Sequence, residues 1–106
     1  MGRHWLWMVW SVWPALAAGD VTLSQQEQQA MTRFVRQECG FCHGLRLTGG
    51  LGAPLTAEAM RDRPIEYLEA VIQHGIPGTA MPGWVPHLTP RQVHWIAERL
   101  REGFPP

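Results

Sequence analysis

Apolar residues recur at helical spacing in three separate stretches of this chain, and nowhere do they alternate with polar residues for long enough to make a strand. In the first stretch, Ala30, Met31, Phe34 and Val35 form one stripe over about residues 25–38. Its start is marked by Ser24 as N-cap and by Glu27, which reaches back to it three residues on. In the second, Ile65, Leu68, Val71 and Ile72 face inward between Pro64, suited to a first helical turn, and Gly75, suited to the position just past a last one. The third carries Val93, Ile96, Ala97 and Leu100, with Thr89 as cap, Pro90 at the first helical position and Gly103 beyond the final turn. A shorter helical turn begins at Thr56. The pattern predicts an all-α domain of three to four short helices. The connections over 44–55 and 76–88 are rich in Gly and Pro and long for a compact domain, which marks them as lining a site.

A fourth apolar run has a different character. Arg3 and His4 precede Trp5–Ala17, which ends in the small-residue pattern Ala15-Leu16-Ala17. This is the layout of a secretory signal peptide over residues 1–17, cleaved after Ala17. Ser11 and Pro14 interrupt the run, and it falls short of the roughly 20 residues needed to span a bilayer, so no stable membrane insertion is expected after cleavage. Residues 18–106 then form a single domain. A domain this small is marginal unless something enlarges its core.

Charge adds mostly exclusions. All nine basic residues are arginine and nine acidic residues balance them, so there is no nucleic-acid footprint and no polybasic membrane patch. Two cysteines are too few for a disulfide framework.

Those two cysteines carry the chemistry. In Cys39-Gly40-Phe41-Cys42-His43, a separation of three lets one helical turn present both thiols to the vinyl groups of a haem, while the adjacent His43 reaches the iron. The motif therefore implies one covalent haem c, with Cys39 and Cys42 as attachment points and His43 as proximal iron ligand. A structural zinc site normally has four ligands, and His74 or His87 would have to be recruited across a helix. A thioredoxin-like dithiol needs βαβ surroundings that the pattern lacks.

A second axial ligand must come from the opposite face. Met31 lies on the first apolar stripe and suits the core, and Met60 suits a gap-filling role in a short turn. Met81 differs. It sits within Gly75-Ile76-Pro77-Gly78-Thr79-Ala80-Met81-Pro82-Gly83-Trp84, a loop stiffened without bulk that can present one thioether as the distal ligand. Two protein ligands leave the iron no position for substrate, which favours outer-sphere electron transfer and argues against an enzyme. A thioether ligand also raises the reduction potential.

With an attachment motif after the first helix, a Met-Pro loop before the last and aromatic residues on both terminal helices, the chain resembles class I cytochromes c over nearly all of its length after the signal. Cys42-His43-Gly44-Leu45, Gly49-Gly50-Leu51-Gly52, Pro77-Gly78-Thr79-Ala80-Met81-Pro82 and the Gly-Phe-Pro ending are similar to the small monohaem cytochromes associated with haem-d-containing nitrite reductase. The resemblance implies a periplasmic, monomeric electron carrier of denitrification, with an upstream membrane donor and a periplasmic nitrite reductase as redox partners. The alternatives are a maturation role for that reductase, or a haem-binding module with an open distal site. One departure from the family stands out. Pro usually follows the Gly that ends the first loop directly, and its carbonyl accepts the proton of the proximal His. Here the order is Gly52-Ala53-Pro54, so either the Ala53 or the Pro54 carbonyl supports His43.

Weaker candidates complete the reading. Phe34 and Trp95 are candidates for an aromatic contact between the first and last helices, with generic core packing as the alternative. Trp84, Arg46, Arg61 and Arg63 are candidates for the haem propionates, although a solvated surface role is the commoner fate of Arg. His74 is placed to complement a helix C-terminus, and His87 and His94 are expected on the surface. Leu51, Ala53, Ile76, Ala80, Met81 and Pro82 form an apolar rim for a haem edge, and long-range charge steering there should be weak.

Overall fold

The computed structural model describes residues 22–104, together with Gly2 and Val9. The expected signal peptide and its cleavage point lie outside the described residues. Five α-helical segments and one π-helical turn follow in order: α1 (Gln25–Phe34), the π turn (Val35–Cys39), α2 (Gly40–His43), α3 (Ala57–Met60), α4 (Ile65–His74) and α5 (Pro90–Glu102). There is no strand among the described residues.

The caps fall where short polar side chains can take over free backbone N–H groups. Ser24 Oγ accepts from Glu27 N at 3.1 Å, while its own hydroxyl donates to the Glu27 carboxylate at 3.4 Å. Glu27 thus returns to the Ser24 side chain. Thr56 Oγ1 accepts from Ala59 N at 3.3 Å and opens α3. At α5 the box is reciprocal, with Gln92 N donating to Thr89 Oγ1 at 3.2 Å and Thr89 N donating to Gln92 Oε1 at 2.9 Å.

The first helix differs from the sequence expectation. Instead of ending near residue 38, it continues through the cysteine motif to His43, by way of the π turn in which Gly40 N donates to the Val35 carbonyl. Gly40 does not break the helix: its φ of −62° is helical. Gly44 ends it, at φ +91°, where a Cβ would stand 2.7 Å from the Gly49 carbonyl oxygen.

The core gathers on α5. Val93, Ile96, Ala97 and Leu100 are all buried, against Leu68 and Ile72 of α4, Met60 of α3, and Met31 and Val35 of the first helix. Each fully buried aliphatic side chain contributes about 1.5–3 kcal/mol through removal from water. The candidate pairing of Phe34 with Trp95 is not what forms. Phe34 meets Trp84 edge to face at 5.2 Å, and Trp95 meets Phe104 at 5.9 Å. Both rings of the candidate pair are used, but Trp84 lies on a loop and Phe104 beyond a helix end, where periodicity gives no signal.

His94 is also more engaged than a plain surface residue. Its Nδ1 bonds the Glu69 carboxylate on α4 and its Nε2 lies 3.0 Å from Glu98 Oε1, one turn along α5. The hydrogen bond to Glu69 raises its pKa above 6.5, the negative charges of Glu98 and Glu69 add to this, and partial desolvation opposes it. A raised folded-state pKa contributes stability that is full below about pH 6.5 and fades as pH climbs through the raised value. His94→Gln is therefore expected to lower the unfolding temperature in mildly acidic buffer and to have little effect in alkaline buffer. Since the pair is partly exposed, the loss should be under about 1 kcal/mol. Thermal melts of both proteins across a pH series measure it.

Candidate functional site

Cys39 closes the π turn and Cys42 lies within α2, so one continuous helical stretch carries both thiols and His43. The two cysteines are free and partly buried. Burial pushes the Cys39 thiol up from 9.0 to about 11, helped by the charges of Glu38 and Cys42. Among the described residues, no group of three or more His, Cys, Asp and Glu side chains gathers to hold a metal ion.

His43 is oriented by the loop that follows it. Its Nδ1 lies 2.7 Å from the Ala53 carbonyl oxygen, which decides between the two carbonyls that the sequence left open. A carbonyl can only accept, so Nδ1 carries the proton and Nε2 keeps its lone pair for a metal. The ring rests on Gly52, where a Cβ would stand 2.7 Å from both Cε1 and Nδ1. The loop is held in place by bonds to the helix end: Gly52 N donates to the Cys42 carbonyl at 2.7 Å and Gly49 N to the His43 carbonyl at 2.9 Å. Carbonyls left free at a helix C-terminus are thereby satisfied, and the same bonds aim the Ala53 carbonyl at the imidazole.

Met81 sits on the loop after α4, partly exposed, whereas Met31 and Met60 are buried in the core at 9% and 8%. This loop is tied to α4 through its backbone. Trp84 N donates to the Ile72 carbonyl at 2.9 Å and Val85 N to the Gln73 carbonyl at 3.3 Å, while Ile76 N closes the loop on itself by donating to the Met81 carbonyl at 3.3 Å. Gly75 turns the chain at φ +71°, and a Cβ there would come within 2.5 Å of the Met81 carbonyl oxygen. Thr79 staples the middle: its hydroxyl donates to the Ile76 carbonyl at 2.7 Å and accepts from Met81 N at 3.3 Å. The Phe34–Trp84 contact anchors the far end to the first helix.

Sequence reasoning named Cys39, Cys42, His43 and Met81 as candidate site residues and a carbonyl of Ala53 or Pro54 behind His43, but not the packing of Gly52 on the ring or the Thr79 staple. Gly52 and Thr79 stand out only once the loops are folded, although a Thr two residues before Met81 is a recognisable local turn-former. The propionate candidates are less concentrated. Arg46, Arg61 and Arg63 are exposed, and the Arg63 guanidinium lies 5.6 Å over the Tyr67 ring. Trp84 packs against the core.

Two thiols one helical turn apart, a neighbouring imidazole with Nε2 available and a flat glycine against its ring are a donor set that fits haem c. Comparison with known proteins shows the family. Residues 18–98 match the family described as cytochrome c oxidase, cbb3-type, subunit III. This chain belongs to that family of c-type cytochromes. The cytochrome is 56% identical over 83 residues to cytochrome c55X of Paracoccus denitrificans (strain Pd 1222), covering 78% of this chain and 79% of that one. Its fold is similar to the solved c-type cytochrome NirC, with a TM-score of 0.73 at 44% identity, over 76% of this chain and 94% of NirC. It also resembles part of dihydro-heme d1 dehydrogenase NirN in complex with DHE, with a TM-score of 0.64 at 30% identity, over 70% of this chain and 16% of NirN. The fold is that of a class I cytochrome c, and the relatives matched along most of their length are cytochromes and not enzymes. The same holds for this chain. Among the described residues, no helix is long and apolar enough to cross a membrane.

Proposed function

We propose that this cytochrome carries single electrons in the periplasm, on one haem c bonded to Cys39 and Cys42, with His43 as proximal and Met81 as distal iron ligand. The observation that carries the reading is the 2.7 Å bond from His43 Nδ1 to the Ala53 carbonyl, beside a cysteine pair one turn away. When bound, the haem supplies a one-electron iron couple. The protein's part is to hold and shield it. Ala53 fixes the tautomer and tilt of His43, the Gly75–Trp84 loop offers the Met81 thioether from a backbone that cannot easily move, and Leu51 and Ile76 stand exposed as an apolar rim. The acceptor is a nitrite reductase of denitrification and the donor a membrane protein. Support comes from the loop segments shared with cytochromes of that pathway and from the likeness to NirC.

Replacing Met81 with Ala tests the ligand set. The oxidised protein is expected to lose the weak sulfur-to-iron band at the red end of its spectrum and to bind added imidazole or cyanide. Met60→Ala should keep the band, because Met60 is core. If Met60→Ala loses the band and Met81→Ala keeps it, the assignment is wrong. The likeness to part of NirN favours a second reading, a maturation role for the reductase. Under that reading the reduced cytochrome would fail to sustain turnover of purified nitrite reductase.

A further inference from the structure

The loop that follows the cysteine motif contains one residue whose backbone and side chain make opposite demands. Leu47 has φ +59°, and among the described residues no other residue except glycine has a positive φ. The left-handed region brings Cβ close to the following carbonyl oxygen, so Gly or Asn is the usual occupant and a leucine there is strained. Such strain persists only where the surrounding structure over-determines it. Here the side chain does so: Leu47 is 5% exposed and belongs to the buried core cluster. Between Phe41 and Ala59, every residue of which is described, no other side chain is buried. The segment is therefore fastened to the core by one fully buried residue, with Leu55 partly buried against the cluster at its far end.

That anchor is linked through its backbone to the groups that orient His43. Leu47 N donates at 2.8 Å to the carbonyl of Gly44, the residue after His43, and the Leu47 carbonyl accepts at 2.8 Å from the N–H of Leu55, two residues past Ala53. The second bond closes a loop over residues 47–55, which carries both Gly52, against the imidazole, and the Ala53 carbonyl, bonded to Nδ1. Gly49 N and Gly52 N tie this loop to the end of the cysteine-bearing helix. With those bonds alone the loop could pivot about the helix end, and the Leu47 side chain removes that freedom. We infer that Leu47 is a positioning residue for His43: its buried side chain holds the 47–55 loop at the angle that aims the Ala53 carbonyl at His43 Nδ1. The inference rests on the proposed role of His43 as proximal iron ligand. It assigns the orientation of that ligand to a residue that touches neither the imidazole nor the cysteines, and it accounts for a leucine where the backbone favours glycine.

Hydrogen exchange in the reduced, 15N-labelled holoprotein tests it, with the Ile96 amide of α5 as reporter of global unfolding. In the wild type, the Leu55 amide and His43 Nδ1–H are expected to exchange through one shared opening, with the same dependence on guanidinium, because both bonds break when Leu47 leaves the core. Leu47→Gly relaxes the backbone but removes the anchor. It should accelerate exchange at His43 Nδ1–H by about tenfold or more relative to Ile96, the effect of losing a buried leucine side chain. Leu47→Met keeps the anchor and should hold that ratio close to the wild-type value. Leu100→Ala truncates a core leucine of α5 and should accelerate both protons together. An unchanged ratio in Leu47→Gly, or the same change of ratio in Leu100→Ala, would overturn the inference. Independent opening of the Leu55 amide and His43 Nδ1–H in the wild type would overturn it even if Leu47→Gly does not fold. Upfield shifts of the carbon-bound ring protons of His43 report iron ligation separately. Their absence would overturn the ligand set and this inference with it, whereas their presence beside an unchanged ratio would overturn this inference alone.

Discussion

Gly52→Ala is expected to disable the haem site while leaving the rest of the core intact. A methyl group at this position would stand 2.7 Å from Cε1 and Nδ1 of His43, closer than such atoms approach in folded proteins, and a tight 3.2 Å from Nε2. The loop has little room to yield, because Gly52 N is bonded to the Cys42 carbonyl at 2.7 Å and the next residue holds the imidazole. The ring must therefore tilt, and tilting it weakens the bond to the Ala53 carbonyl that fixes its tautomer. Overpacking of this kind costs about 1–3 kcal/mol. The functional loss should exceed the loss of stability, since a misdirected His43 Nε2 fails as a ligand even in a folded chain. Thermal unfolding together with the ligand-sensitive visible spectrum separates the two. Wild-type spectra and stability in the variant would show that the ring does not depend on Gly52.

The second large effect belongs to the core. Ile96 is 1% exposed at the centre of the α5 stripe, between Val93 and Leu100, in the buried cluster that also holds Leu68 and Ile72 of α4 and Met60 of α3. Ile96→Ala removes its buried methyl groups and leaves a cavity that only partly collapses, at a cost of about 2–5 kcal/mol. Domains of this size have about 5–15 kcal/mol in all, so the variant should approach global instability. Guanidinium unfolding of the holoprotein should show a lower midpoint with an unchanged slope. By contrast, Ala substitution of exposed Glu66 should lie within about 0.5 kcal/mol of wild type.

The two effects illustrate what the sequence made legible. Helices α4 and α5 could be read almost to the residue because Pro64, Gly75, Thr89, Pro90 and Gly103 punctuate them, each with a local physical reason. The four inward residues of α5 are also the buried ones. The cysteine motif was legible as chemistry because three adjacent requirements leave few alternatives. What could not be read was anything set by chain reversal. A π turn has no sequence signature, so the first helix was expected to stop before the motif that it carries. The choice of Ala53 over Pro54 depends on how the 44–55 loop folds back onto the α2 carbonyls, and neighbouring carbonyls look alike in sequence. The partner of Phe34 is not readable from periodicity, because tertiary packing brings in a loop tryptophan in place of the helical one.

The central claim is that one haem is covalently bound through Cys39 and Cys42. Acid–acetone extraction of the purified protein, followed by a pyridine haemochrome spectrum of both fractions, tests it most directly. The account predicts that the haem stays with the precipitated protein, one per chain, with the spectrum of two saturated vinyl groups. Haem released into the acetone phase, or a chain that carries zinc on its cysteines, would contradict it.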